Sequence, residues 1–176
     1  MQTLNKVPDA VSPSSLAERV SDDVYTFGGT TSRFCKHSNF FERTFTYEHI
    51  SYNSAEQAFQ HKKARVAKDQ NKCREILFNA DPGTQKYLGQ HVNGLDAELW
   101  NQNRLGYMRD ILCAKYSQHQ DLLGTGDRQI AEANARDDFF AIGLPLTHKD
   151  VLNPTAWRGQ NHLGKLLMEV RDELRN

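Results

Sequence analysis

From Ser54 onward the chain is cut at short intervals by residues that start and stop helices, which restricts it to a set of short and medium helices. Ser54 followed three residues later by Gln57 is a capping-box pattern, which ties off the free backbone N–H groups of a new helix. It predicts a helix from Ser54 to about Lys68, with Ala55, Phe59 and Val66 as core contacts. A second helix is expected over 70–78, ahead of the stop Asp81-Pro82-Gly83, and a short one over 84–88, closed by Gly89. Asp96 reads as the N-cap of the longest helix, which carries Trp100, Met108, Ile111 and Leu112 and ends near Ser117. A short helical stretch then runs to Leu123, and Gly124-Thr125-Gly126 reads as a C-cap. In the last helix, 161–174, Leu163, Leu167, Val170 and Leu174 recur at the spacing of one buried face.

Ahead of Ser54 the pattern changes. Val24–Phe27 is strand-like and runs into Gly28-Gly29, and the β-branched and aromatic residues of 44–52 predict a short hairpin. A further small strand is expected at 129–133. Residues 1–22 are polar, with Pro8, Pro13 and a serine cluster, and read as a flexible tail with one helical turn around 16–20. The expected fold is mainly α: one compact helical domain over 23–176 with a few short β-strands near its N-terminus. At 176 residues, a single domain can bury most of its apolar surface.

Charge and cysteines narrow the function class. Lys+Arg and Asp+Glu both number 22, so the chain as a whole lacks the basic footprint of an avid nucleic-acid binder. Cys35, Cys73 and Cys113 are odd in number, widely spaced and without a Cys-x-x-Cys pair, which favours a reducing compartment over a disulfide framework. The first twenty residues hold no apolar run fit for a signal peptide, and no stretch is long enough to span a membrane. A cytoplasmic protein is expected, or a nuclear one in a eukaryote.

Several chemistries find no support. The seven histidines are scattered, with no His-x-x-x-His pair, and Cys35-Lys36-His37 alone does not supply four zinc ligands. There is no P-loop, no dinucleotide-binding glycine fingerprint and no Gly-x-Ser-x-Gly elbow. Glu56, Gln60 and Lys63, by contrast, share one face of a helix entered from an aromatic segment containing Phe40, Phe41, Tyr47 and Tyr52. That face is either a solvated surface with a favourable charge pair or the floor of a pocket. Asp137-Asp138, set before Phe139-Phe140, form a turn or face the same pocket. Trp100 is a core residue or a stacking platform.

The order and spacing of these motifs resemble the NADAR (YbiA-like) family. The likeness runs from Ser38-Asn39-Phe40 and Ser54-x-Glu56-Gln57-x-x-Gln60-x-x-Lys63-Ala64 through Leu88-Gly89, Trp100, Arg104, Met108 and Lys115. It continues with Leu123-Gly124-Thr125-Gly126, Ile130-x-Glu132-Ala133 and Asp137-x-x-Phe140-x-x-Gly143, and closes with Gly159-Gln160-Asn161-x-Leu163-Gly164-Lys165-x-Leu167-Met168-x-x-Arg171. It covers about residues 24–174. The resemblance implies a compact, mostly α fold and N-glycosidase activity on the bond between a base nitrogen and a ribose anomeric carbon. Members of the family act either on early riboflavin-pathway intermediates, releasing ribose 5-phosphate, or on ADP-ribosylated guanine in nucleic acid, as antidotes to guanine-specific ADP-ribosyltransferase toxins. The family's functional residues carry over as Glu56, Trp100 and Asp137. Two departures stand out: Phe140-Ala141 in place of the common Trp-Gly, and His37 where an apolar residue often precedes Ser-Asn-Phe. The first implies an altered substrate preference.

On this reading Glu56, Asp137 and Lys63 are the expected catalytic residues. A carboxylate near the ribose stabilises the positive charge that builds as the base leaves. A desolvated Lys63 amine offers a second route, through attack on the anomeric carbon. Trp100, Asn39, Phe40, Gln60, Arg104 and Phe140 are the expected substrate-binding residues, with Trp100 stacking on a base and Arg104 reaching a phosphate. No metal or organic cofactor is required, because hydrolysis of this bond is downhill. The expected substrate is ADP-ribosylated guanine in nucleic acid, with a guanine ADP-ribosyltransferase toxin as functional counterpart. The alternatives are a phosphorylated ribosylamino-pyrimidine and, in a different class, a non-catalytic module that binds ADP-ribose or a modified base. No membrane partner is expected.

Overall fold

The computed structural model describes residues 17–28 and 35–176. The Glu18–Val20 strand (β1) pairs antiparallel with Val24–Gly28 (β2), which pairs in parallel with Gln129–Ala133 (β5), giving the order β1-β2-β5. Phe45–Tyr47 (β3) and Ile50–Tyr52 (β4) form a separate hairpin, turned by Glu48 and His49 at φ 48° and 64°. Two left-handed residues in a two-residue turn match the right-handed twist of the flanking strands. Five α-helices, Ala55–Val66 (α1), Gln70–Phe78 (α2), Pro82–Gln90 (α3), Ala97–Gln118 (α4) and His162–Leu174 (α5), and two short 3-10 helices, Gln120–Thr125 and Pro154–Ala156, complete the elements of the described residues.

The expected helices and strands are present, with three corrections. Residues 18–20 are strand β1 rather than a helical turn, because β2 offers them a pairing edge. The rest of the expected tail, residues 1–16, lies outside the described residues. The third helix starts at Pro82, capped by Asp81, and runs through Gly89 to Gln90. Asp-Pro there is a start signal, since proline suits the first helical turn. Val66 is only partly buried; Ala64 takes its place, packed with Cys73 of α2 and Ile76.

The capping box at α1 is extended. Ser54 Oγ accepts from Gln57 N at 3.0 Å, but Gln57 Oε1 reaches back one residue further, to Asn53 N at 2.8 Å. Gln57 Nε2 then donates to the carbonyls of Ile76, Leu77 and Asn79, so one side chain ties the start of α1 to the end of α2. The long helix α4 is capped by Asp96 as expected, its carboxylate accepting from Glu98 N and Leu99 N.

Strand β5 divides the interior. Ile130 faces the main core with Phe27, Phe45, Tyr52, Met108, Ile111 and Leu167, while Ala131 and Ala133 face a smaller cluster with Ile142, Leu144 and Val151. Strand β2 is buried along its whole length, as expected of a strand covered on both faces. All three cysteines are free, and no described helix is long and apolar enough to cross a membrane.

Candidate active site

The site is built on the first turns of α1. Glu56 N donates to Asn39 O at 3.0 Å, so the loop carrying Asn39 and Phe40 is fastened to the helix start. That loop is held from below by Lys115 of α4, buried, whose Nζ donates to the carbonyls of Lys36 and Ser38 at 3.2 and 3.4 Å. Burial lowers the Lys115 pKa to about 8. His37 behaves as an apolar residue: it is buried, burial pushes its pKa down to about 3, and its Nδ1 lies 3.2 Å from Tyr116 Oη.

Glu56 is 5% exposed, so its face of α1 is interior and not a solvated surface. Gln60 Nε2 donates to Glu56 Oε1 at 2.8 Å. One turn further on, Lys63 Nζ lies 5.9 Å from the centroid of the Trp100 ring on α4. Burial raises the Glu56 pKa; Lys86 of α3 opposes this, as does the Gln60 hydrogen bond, while Asp137 adds to it and Lys63 opposes it. Burial lowers the Lys63 pKa, which Glu56 partly restores.

A third carboxyl completes the cluster. Glu132 of β5 lies on the same side of its strand as Ile130, which faces the main core. Burial raises its pKa to about 7, with Asp137 adding to the shift, Lys86 opposing it and Glu56 adding again. Buried Glu56 therefore lies within electrostatic reach of the half-buried Lys86, Asp137 and Lys63, and half-buried Glu132 within reach of Asp137, Lys86 and Glu56. Burial and like charge both raise the pKa of Glu56 and of Glu132.

Aromatic rings frame the cluster. Phe59 packs against Trp100 at 5.1 Å and edge-on against Phe140 at 5.7 Å. Phe140 meets Phe139 at 5.0 Å, and Phe139 meets His162 at 4.4 Å. Arg104, one turn beyond Trp100 on α4, lies with its guanidinium 3.5 Å from the Phe139 centroid. On the opposite side Lys86 Nζ sits 5.6 Å from the Phe40 centroid. Asp137 does two things at once: its Oδ1 accepts from Phe139 N and Phe140 N at 3.0 and 2.8 Å, closing the turn that carries both rings, while its charge acts on Glu56 and Glu132. Three buried polar atoms at this site lack a partner among the described residues: Asn39 Oδ1, Gln60 Oε1 and Arg104 Nε.

Tertiary structure thus brings Glu56, Gln60, Lys63, Asn39, Phe40, Trp100, Arg104, Asp137 and Phe140 to one region. Trp100 is both core residue and site wall, being 7% exposed. Two members had no role assigned from sequence. Glu132 appeared only as a letter in a motif; its signal was an acid between two alanines of a short strand. Lys86 lies in the third helix, one turn before Gly89, and nothing local marks it.

A small, mainly helical domain with a buried carboxyl, half-buried acids and amines beside it and packed aromatic rings is suited to a ligand that joins a planar base to a sugar. The NADAR domain signature matches residues 26–175. The chain belongs to the NADAR family, and with it to the N-glycosidases, hydrolases acting on N-glycosyl compounds. It is 32% identical over 130 residues to N-glycosidase R617 of Acanthamoeba polyphaga mimivirus, covering 72% of this chain and 76% of that one. Over 142 residues it is 27% identical to riboflavin biosynthesis protein VVA0006 of Vibrio vulnificus, covering 78% of this chain and 35% of that longer one. Its fold is like the NMR structure of E. coli YbiA, with a TM-score of 0.70 and 24% identity, covering 94% of this chain and 93% of that one.

Proposed function

We propose that the protein removes ADP-ribose from ADP-ribosylated guanine in nucleic acid by cleaving the bond between the base nitrogen and the ribose anomeric carbon. The observation that carries this reading is the length of the aromatic run. From Trp100 through Phe59, Phe140 and Phe139 to His162 the rings touch one another in turn, a run longer than one base on a ribose, and Arg104 lies along it with a buried Nε that has no hydrogen-bond partner among the described residues. ADP-ribose has the matching parts: a ribose at the reacting end, a pyrophosphate, and a second ring system in adenine. A planar guanidinium suits the pyrophosphate.

In this reading Glu56 stands beside the reacting ribose and stabilises the charge that develops at the anomeric carbon. Asp137 orients the ribose hydroxyls with the oxygen not used in its turn. Lys63, held toward its neutral form by burial, attacks the anomeric carbon as the base departs and forms a Schiff base with the opened sugar. Water then releases ADP-ribose and returns the free amine. A guanine-specific ADP-ribosyltransferase toxin is the counterpart such an enzyme would answer.

The test is to incubate the purified protein with a guanine-ADP-ribosylated DNA oligonucleotide and to measure released ADP-ribose, with Glu56→Gln alongside. Release by the wild type and its loss in the variant support the reading; an untouched oligonucleotide rejects it. The likeness to VVA0006, a protein named for riboflavin biosynthesis, favours a second reading, in which a phosphorylated ribosylamino-pyrimidine is the substrate. Release of ribose 5-phosphate from that compound alone would decide for it.

A further inference from the structure

We propose that Lys115 is a positioning residue for the reaction: its buried ammonium fixes the loop that carries Asn39 and Phe40 against α4 and the first turn of α1, and so sets how tightly substrate is held beside Glu56. The inference rests on the N-glycosidase reading and adds to it a residue placed behind the substrate-binding loop.

A buried ammonium calls for a reason. Lys115 is 1% exposed and forms no ion pair among the described residues. The acid whose charge acts on it, Asp121, is paired with Arg43 at 2.7 Å. Taking an unpaired ammonium out of water is costly, and an apolar side chain of similar length would fill the same space without that cost.

Its contacts say what it does. Nζ donates to Lys36 O at 3.2 Å and to Ser38 O at 3.4 Å. Neither carbonyl depends on it: Tyr116 Oη donates to Lys36 O at 3.5 Å, and Phe41 N donates to Ser38 O at 3.2 Å. Satisfying the backbone is therefore not its purpose. Two carbonyl oxygens turned toward one point repel each other, and a cation between them holds them there through charge-assisted hydrogen bonds.

The loop held in this way leads to the site. Ser38 N donates to Cys35 O at 2.9 Å, Phe40 N donates to Ser38 Oγ at 3.1 Å, and Asn39 O accepts from Glu56 N at 3.0 Å. An unbroken set of hydrogen bonds thus runs from the Lys115 ammonium to the backbone of Glu56. Two turns before Lys115, Met108 takes a second grip on the loop, its Sδ accepting from Asn39 Nδ2 at 3.8 Å. Trp100, Arg104, Met108 and Lys115 fall on one face of α4. One helix face therefore carries a stacking ring, a guanidinium and the clamp that fixes the opposite wall, where the Phe40 ring lies 5.6 Å from Lys86 Nζ.

The clamp has its own signature in pH. The titratable groups around Nζ are Tyr116 on α4, Cys35 and His37 in the loop, Arg43 beyond the loop and Asp121 after α4. Burial pushes the Tyr116 pKa up and that of Cys35 up to about 12, and it pushes His37 down to about 3, so all three are neutral around pH 8. Lys115, lowered by burial to about 8, changes charge there.

The experiment measures kcat and KM of wild type, Lys115→Met and Lys115→Arg on a guanine-ADP-ribosylated DNA oligonucleotide below and above pH 8, with thermal melts of all three. If wild type turns over only a phosphorylated ribosylamino-pyrimidine, the same series is run on that compound. Lys115→Met is expected to melt level with or above wild type, because it removes an unpaired buried charge. Its KM is expected to rise about 10–100-fold while kcat changes by less than about threefold. The wild-type KM rises as pH passes about 8 and the ammonium is lost, whereas the KM of Lys115→Met is already high and stays level through that range. Lys115→Arg keeps a cation, recovers part of the affinity and moves the rise in KM to higher pH. An unaltered KM in Lys115→Met, or a joint fall of melting temperature and kcat, overturns the assignment and leaves the glycosidase intact. A wild-type KM that stays flat through pH 8 overturns it as well, whether or not the variants fold. A wild type inactive on both substrates overturns the glycosidase reading, and the clamp with it.

Discussion

Gly89 of α3 lies against Gln60 of α1 so closely that no side chain fits between them: a Cβ at position 89 would overlap Gln60 Oε1 and crowd Gln60 Cβ. Because α3 can approach, Gln60 is pressed into the interior with its Nε2 turned onto Glu56. Gly89→Ala is expected to displace that amide, costing about 1–3 kcal/mol of stability together with a loss of activity. Gly106 on α4 is the control, since a Cβ there meets nothing within 4 Å. Gly106→Ala should stabilise by about 0.5–1 kcal/mol through helix propensity alone. Thermal melts and ADP-ribose release on the two variants check both statements.

Glu56→Gln keeps the shape of the side chain and removes its charge. A rate loss of about 10²–10³-fold in kcat is expected, typical of removing one electrostatic contact made in the transition state. The melting temperature should stay level or rise, because burial already disfavours the ionised form. A variant that loses activity and stability together would mean Glu56 is a structural residue.

Lys63 has its pKa lowered by burial and stands over Trp100 beside Glu56. Borohydride added during turnover is expected to trap an ADP-ribosyl adduct, and peptide mass mapping should find it on Lys63. Lys63→Arg, which cannot form a Schiff base, should give no adduct. Turnover without any trapped species would leave water as the nucleophile.

His37 gives the fold an acid sensitivity. Its folded pKa, about 3, lies below its ordinary value of 6.5, so the folded state binds fewer protons between those values. Its contribution is complete above about pH 6.5 and is lost as pH falls toward 3. Urea unfolding at pH 7 and pH 4.5 should show stability falling in the wild type and falling less in His37→Phe. An unchanged slope in the variant would place the acid sensitivity elsewhere.

Phe140 meets Phe59 edge-on at 5.7 Å. Phe140→Trp adds ring area against the site and is expected to change the relative rates on ADP-ribosylated guanine and a ribosylamino-pyrimidine. Competition between the two substrates measures it; an unaltered ratio would mean the ring serves packing alone.

Local chemistry made the helices legible. Ser54, Asp81 and Asp96 cap their helices with their own side chains, and each acts on backbone groups within three residues. Reading Glu56, Gln60 and Lys63 as one face also needed only the helical repeat. Asp81-Pro82 follows the end of α2 and also opens α3, because Asp-Pro serves either end of a helix, and its second use is hidden where a neighbouring helix is already ending.

Whether the Glu56 face is wet or dry was not a local matter. It is dry because α3 closes on it through Gly89 and α4 closes on it through Trp100, contacts made by residues some 30 to 45 positions further along the chain. Glu132 reaches the site from still further away, carried by a strand whose register is set by β2 and whose free edge is held by Asn161. The sequence by itself determined the helices and the pattern of residue types, because propensity, capping and periodicity act over a few residues. Only the tertiary structure decided which charges meet and which of them are buried, because burial and charge–charge interaction depend on distances in space between residues far apart in the chain.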